Sequence, residues 1–236
     1  IIIDSRDKKI SLNKNKLKKI SNRKKGLGCD QIVFLEKSKN NKASAFIKFF
    51  NSDGSKTNAC GNAARCVAHL LMKEEKKKKI TMQTDASFLY AYLNKNNHIT
   101  VDLGKAYFTW NKIPLKKKIN YEKLHFNLNI ISKPFLVNIG NPHIVFLVNI
   151  GNPHIVFFVK NLKKINLKKI GPKIEKNSIF PEKINVNFAK IINNNQIKLK
   201  VWERGAGITK ACGTGASATA IAAIKNKLVN KKFCNI

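Results

Sequence analysis

The sequence predicts an α/β (α+β) chain of two similar halves, on three observations. Short apolar runs broken by Lys/Asn turns recur at roughly ten-residue spacing, as strands in a sheet do. Two Ala-rich stretches carry the 3.6-residue period of helices. Their starts also match: ACGNAA begins at Ala59 and ACGTGA at Ala211, each after a strand and a polar turn loop. At 236 residues the chain holds one large domain or two small ones, each with its own core.

In chain order, Ile1–Asp4, Ile32–Leu35 and Ala45–Phe50 read as strands. A short amphipathic helix over Leu12–Ser21 precedes the turn Arg23-Lys-Lys-Gly-Leu-Gly. Asn51-Ser-Asp-Gly-Ser is a dense turn signal, and a helix is expected over 61–74. Strands follow at 80–84, 87–93 and 98–103. Pro114 and the Lys116–Lys118 run mark a domain boundary, giving halves 1–114 and 115–236. The second half shows strands near 124–131, 135–139 and 155–159. A strand at Gln196–Trp202 then leads into Glu203-Arg-Gly-Ala-Gly-Ile-Thr and a small-residue helix beginning at Cys212.

One segment is repeated without change: LVNIGNPHIVF occupies 136–146 and again 147–157. Eleven is odd, so a strand running through both copies would invert its facing. One copy must therefore bulge or form an extra hairpin, and residues 136–146 are expected to do so.

The charge is +33, from 46 Lys and Arg against 13 Asp and Glu. A polyanion partner would explain that balance. The detail argues otherwise. Only Arg6, Arg23, Arg65 and Arg204 are arginines, whereas nucleic-acid readers favour the bidentate guanidinium. Lys is dispersed, with about 30 Asn and a similar number of Ile, residues that share A/T-rich codons. No specific nucleic-acid partner is expected. No apolar run approaches the roughly 20 residues of a membrane helix, so no membrane partner is expected either. Ile1-Ile-Ile-Asp4 shows neither a basic start nor a cleavage site, so no secretory signal is expected there. Without an initiator Met, the sequence is expected to begin inside a longer chain. The five cysteines, 29, 60, 66, 212 and 234, are irregularly spaced and form no zinc pattern, so no metal is expected. A reducing cytoplasm is the default compartment.

The chemistry lies in the matched cysteines. A helix N-terminus presents unbonded N–H groups and about half a positive charge. A Cys there is expected to have a stabilised thiolate and a lowered pKa. The Gly after each Cys lets backbone N–H groups approach an anion. Two such ends could hold one carboxylate between two thiols. One thiolate would remove an α-proton and the other thiol would deliver one to the opposite face, inverting the centre without a cofactor. The alternative is that both are small core residues, as free Cys often is.

GLGCDQ (26–31), FNSDGS (50–55), ACGNAARCVA (59–68), GNPH (140–143 and 151–154) and ERGAGITKACGTGA (203–216), in that order, resemble the diaminopimelate epimerases. The resemblance runs from Ile1 nearly to the end. It implies two mixed-sheet domains, each wrapped around a central helix and related by a pseudo-twofold axis, with the active site in the cleft between them. It implies cofactor-independent interconversion of LL- and meso-diaminopimelate, in lysine and peptidoglycan precursor synthesis, and a homodimer as the candidate assembly. Cys60 and Cys212 would be the base and acid. N–H groups at Gly61–Asn62 and Gly213–Thr214 would bind the reacting carboxylate, and Arg204 the distal one. Glu203 would face the distal ammonium or tune a thiol. Gln31, Asn51, Asn185 and the GNPH Asn would line the site, with the GNPH His shifting a thiol pKa. Asn152 and His154, from the second copy, are favoured over Asn141 of the first, because Phe158-Val-Lys-Asn-Leu continues the family pattern. Ala63 replaces the family's usual Gly. The family pattern also extends beyond both ends, with a substrate-contacting Asn before Ile1 and further strands after Ile236.

Each assignment has a structural alternative. Glu203–Arg204 could be a surface pair, Asn51 and Asn185 turn residues, and the GNPH His a satisfied turn histidine. A proline racemase-like or hydroxyproline epimerase activity is the rival enzyme reading. It would need no distal carboxylate clamp, against which Glu203–Arg204 argues. A basic polyanion-binding protein or an inactive fragment is the rival of another class.

Overall fold

A computed structural model describes residues 1–118, 145–229 and 234–236. Asn141, the strands expected at 124–131 and 135–139, and nearly all of the first repeat copy lie outside those residues. The chain divides into two compact units, Ile1–Lys105 and Ala106–Ile236.

The first unit is a mixed sheet around one helix. Strand β1 (Ile2–Asp4) pairs parallel with β2 (Gln31–Glu36), which pairs antiparallel with β3 (Ala45–Asn51). The short β4 (Lys56–Thr57) returns antiparallel on β3. β3 also pairs parallel with β5 (Lys79–Gln83), and the meander closes with β6 (Phe88–Leu93) and β7 (Ile99–Asp102). Helix α2 (Gly61–Glu74) packs Ala64, Val67, Ala68 and Leu71 on one sheet face, against Val33, Leu35, Ile47, Phe49, Ile80 and Met82. Full burial of each Val or Leu stabilises by about 1.5–3 kcal/mol, which anchors the helix and hence its first turn. Alternate β2 residues Ile32 and Phe34 face the other way, onto Leu17 of α1 (Lys14–Ser21). This explains why β2 is apolar on both sides. The arginine of the first segment, Arg6, bonds both Asp4 and Glu74 and so ties β1 to the end of α2.

The second unit repeats the scheme. Its sheet runs β12-β11-β10-β9-β8, with β8 (Val145–Asn149), β9 (Pro153–Phe158), β10 (Asn185–Asn193), β11 (Gln196–Glu203) and β12 (Gly207–Ile208). β9 and β10 are parallel and the other neighbours antiparallel. Ile113, Leu115, Ile155, Phe157, Val186 and Phe188 form one core with Leu167, Ile170 and Ile174 of α3 (Leu167–Glu175). Helix α4 (Gly213–Lys225) buries its own stripe, Ala218, Ala222 and Ala223. β8 begins in the last residues of the first repeat copy and ends in the second. It forms a hairpin with β9, so the second GNPH sits at the hairpin turn, where Gly151 takes φ +83°.

Two elements lie outside the expected set. α3 forms across Gly171-Pro172, although proline lacks the N–H of a helix interior, because its apolar stripe has a core to cover. Trp202 packs so close to Gly171 that a Cβ there would lie 2.5 Å from the indole. β10 was hidden by its asparagines, which read as turn residues. Asn185 and Asn187 are instead buried in the strand.

Among the described residues no helix is long and apolar enough to cross a membrane.

Candidate active site

Each unit places a cysteine as the N-cap of its central helix. Cys60 (φ −148°, ψ 106°) accepts from the Ala63 N–H at 3.3 Å, and Cys212 (φ −131°, ψ 107°) from the Gly215 N–H at 3.3 Å. Both take the extended backbone of an N-cap, and both use sulfur where Ser or Asp usually supplies oxygen. Gly61–Asn62 and Gly213–Thr214 form the first turns, whose N–H groups have no carbonyl to bond within the helix.

Around Cys60's unit, Gln31 and Asn51 are directly opposed at the ends of β2 and β3. Gln31 Nε2 donates to Asn51 Oδ1 at 3.2 Å, and Asn51 Nδ2 to Ser55 Oγ at 3.1 Å. Asn51 both ends the strand and opens the turn, since its carbonyl accepts from Gly54 N–H. Gln31 Oε1 is buried without a hydrogen-bond partner among the described residues. Asn62 Oδ1 accepts from Arg65 one helical turn on.

Cys212's unit brings more of the expected residues together. Asn152 Nδ2 donates to Thr214 Oγ1 at 3.3 Å, and Thr214 Oγ1 lies 3.5 Å from Cys212 Sγ. Asn185 Nδ2 donates to the Pro153 carbonyl at 2.9 Å while its Oδ1 accepts from Arg204 N–H at 2.9 Å. That one amide joins the starts of β9 and β10 to the Glu203–Gly207 loop. Arg204 Nη1 donates to the Glu182 carbonyl at 2.7 Å, and Glu203 accepts from Thr209 Oγ1. Glu175 holds the loop from below, accepting from Trp202 Nε1 at 2.7 Å and Gly205 N–H at 3.1 Å. His154 is fully buried at the start of β9.

Sequence reasoning passed over Thr209, Glu175 and Asn187. Asn187 was detectable. In Asn185-Val-Asn-Phe the two asparagines alternate with apolar residues, so both belong to one strand face.

The helix-start argument predicts a depressed thiol pKa, and at Cys212 the structure reverses it. Burial, then the Glu203 charge, push this thiol up to about 12, outweighing the hydrogen bonds from Thr214 and the Gly215 N–H. Cys212 therefore holds its proton at neutral pH. Iodoacetamide at pH 8 should label exposed Cys66 well before Cys212. Glu203→Gln removes the nearby negative charge and should speed Cys212 labelling several-fold, read by peptide mass spectrometry. Unchanged labelling would show that Glu203 does not govern this thiol.

Burial, then the positive charge of Arg204, push the His154 ring down to about 3. The unfolded chain has the higher value, about 6.5, so proton uptake favours unfolding. His154 thus contributes stability above pH 6.5 that is lost as the pH falls toward 3. Urea unfolding should show wild type losing a few kcal/mol between pH 7 and 4. His154→Gln, weaker at pH 7, should lose less over that window; equal losses would contradict a buried neutral ring.

Among the described residues no group of three or more His, Cys, Asp or Glu could hold a metal ion. Each unit thus offers one thiol at the start of its central helix, and in the second unit the Asn152 amide is linked to that thiol through Thr214.

The diaminopimelate epimerase family pattern matches residues 1–109 and 146–236. The diaminopimelate epimerase of Pelagibacter ubique (strain HTCC1062) is 47% identical over 238 residues, covering 98% of this chain and 81% of that protein. That of Wolbachia sp. subsp. Brugia malayi (strain TRS) is 40% identical over 225 residues, covering 95% and 80%. Among solved structures, a hydroxyproline epimerase from Agrobacterium vitis with bound trans-4-hydroxy-L-proline matches at a TM-score of 0.61 and 13% identity, covering 92% of this chain and 66% of that one. At that identity the likeness concerns the fold.

Proposed function

The chain belongs to the diaminopimelate epimerase family, and on that premise we propose that it inverts one α-carbon of diaminopimelate with the thiols of Cys60 and Cys212. The activity is an isomerisation of LL- to meso-diaminopimelate, which serves lysine and peptidoglycan precursor synthesis. The observation that carries the two-thiol reading is the repeated geometry: a cysteine N-cap, with matching backbone angles, heads the central helix of each unit.

One sulfur, as thiolate, takes the α-proton and becomes a thiol. The C–H electron pair passes into the carboxylate as an enediolate. The other sulfur gives its proton to the opposite face of the carbon and is left as thiolate. The N–H groups at Gly61–Asn62 and Gly213–Thr214 stabilise the negative charge that grows on the carboxylate. In the resting enzyme Cys212 starts as the acid, consistent with its raised pKa, and Cys60 as the base. Arg204 takes the distal carboxylate as a bidentate fork. Gln31, Asn51, Asn152 and Asn185 supply amides, and Glu203 meets the distal ammonium while restraining Cys212. The reading places the enzyme in the cytoplasm as a homodimer, with no specific nucleic-acid or membrane partner.

Incubation with LL-diaminopimelate in D2O tests it. Conversion to the meso form with one deuterium at the inverted carbon is expected. Failure to convert diaminopimelate, with turnover of trans-4-hydroxyproline instead, would transfer the activity to the rival epimerase reading.

A further inference from the structure

Asn187 has no part in the chemistry above, yet it is fully buried beside it. Its Nδ2 lies 3.1 Å from His154 Nδ1 and 3.0 Å from the Ile155 carbonyl oxygen. A carbonyl oxygen only accepts, so the amide atom facing it must be the NH2 group. The same group then donates to His154 Nδ1, which must be the unprotonated nitrogen. The ring proton is therefore on Nε2. The reverse amide orientation would set oxygen against oxygen, so the backbone of β9 decides the tautomer of its own histidine through Asn187.

The consequence is a donor. His154 Nε2 is buried without a hydrogen-bond partner among the described residues, and a buried N–H left unpaired is costly. The charge that bears on this ring is that of Arg204. A protonated imidazole there would repel the guanidinium, whereas a neutral N–H can donate alongside it to one anion. Packing keeps Asn187 in place. A Cβ on Gly215 would lie 2.7 Å from Asn187 Oδ1 and 3.2 Å from Cys212 Sγ, so the α4 start closes directly over the amide.

We propose that Asn187 is a positioning residue that locks His154 as the neutral Nε2–H tautomer, making the ring a hydrogen-bond donor to a carboxylate oxygen of the bound substrate. The donor step rests on the diaminopimelate reading; the tautomer does not.

The test is histidine-ring nitrogen NMR on the 15N-labelled wild type, which needs no variant to fold. His154 is expected as the Nε2–H form from pH 5 to 8, with its Nε2–H proton moving downfield when meso-diaminopimelate is added. An Nδ1–H form or an imidazolium in that range would overturn the tautomer lock. A fixed Nε2–H resonance unmoved by saturating substrate would overturn the donor role, even if the wild type epimerises normally. Asn187→Asp, which replaces the donor by acceptors, should switch the ring to Nδ1–H or imidazolium. It should also raise KM about tenfold with kcat changed less. A variant that folds and keeps both the Nε2–H form and its KM would show Asn187 to be structural only.

Discussion

Epimerisation should be lost when either Cys60 or Cys212 is replaced by alanine, with kcat/KM down by at least about 10²–10⁴-fold. Inversion needs proton removal on one face and delivery on the other, so one remaining sulfur cannot complete it. Alanine also removes the acceptor that caps the Ala63 or Gly215 N–H, which costs about 0.5–2 kcal/mol of helix stability. Serine separates the two effects. Its hydroxyl can still cap the helix, but it is far too weak an acid to form the base at position 60 or to give up its proton at position 212. Cys→Ser at either position should therefore unfold close to wild type and still lose turnover. In D2O the double variant should show no α-exchange at all. If both single serine variants kept near wild-type rates, the two-thiol mechanism would be wrong.

How much of this was legible beforehand depended on whether local pattern and tertiary context agreed. They agree in α2, where Ala-rich 3.6-residue periodicity and a cysteine start give Gly61–Glu74, as expected from 61–74. They also agree in β3, where the apolar run read over Ala45–Phe50 becomes the strand Ala45–Asn51. They disagree in β10 and α3. Asn is a turn residue by default, but Asn185 and Asn187 find buried partners on the neighbouring strand β9, which no local rule registers. Pro172 ends helices by default, but Leu167, Ile170 and Ile174 have a core to fill. The same limit governs the electrostatics. The helix start argues for an acidic thiol, and only the folded chain shows that burial and Glu203 outweigh it at Cys212. In the candidate site, the residue types came from motif order, while the hydrogen bonds that orient Asn152, Asn185 and Arg204 required the sheet register.

Arg204 should decide which amino acids are accepted. Its backbone N–H is fixed by Asn185 and one guanidinium N–H by the Glu182 carbonyl, so the side chain is already held in one orientation. A guanidinium has five N–H donors in a rigid plane and can hold a carboxylate in two parallel bonds while keeping its protein contact. A lysine ammonium at the same place is a shorter point charge and cannot do both. Charge-assisted hydrogen bonds of this kind contribute about 1.5–3 kcal/mol, so Arg204→Ala should raise KM for LL-diaminopimelate about 10- to 150-fold. Arg204→Lys should recover only part of that. The informative comparison is L-lysine, which carries the distal ammonium but no distal carboxylate. Wild type should strongly prefer diaminopimelate, and the preference should shrink in both variants because only the carboxylate-bearing substrate loses a partner. A general weakening that lowers kcat/KM equally for both amino acids would mean that Arg204 braces the loop against Glu182. Unchanged KM and unchanged preference would remove it from the site altogether.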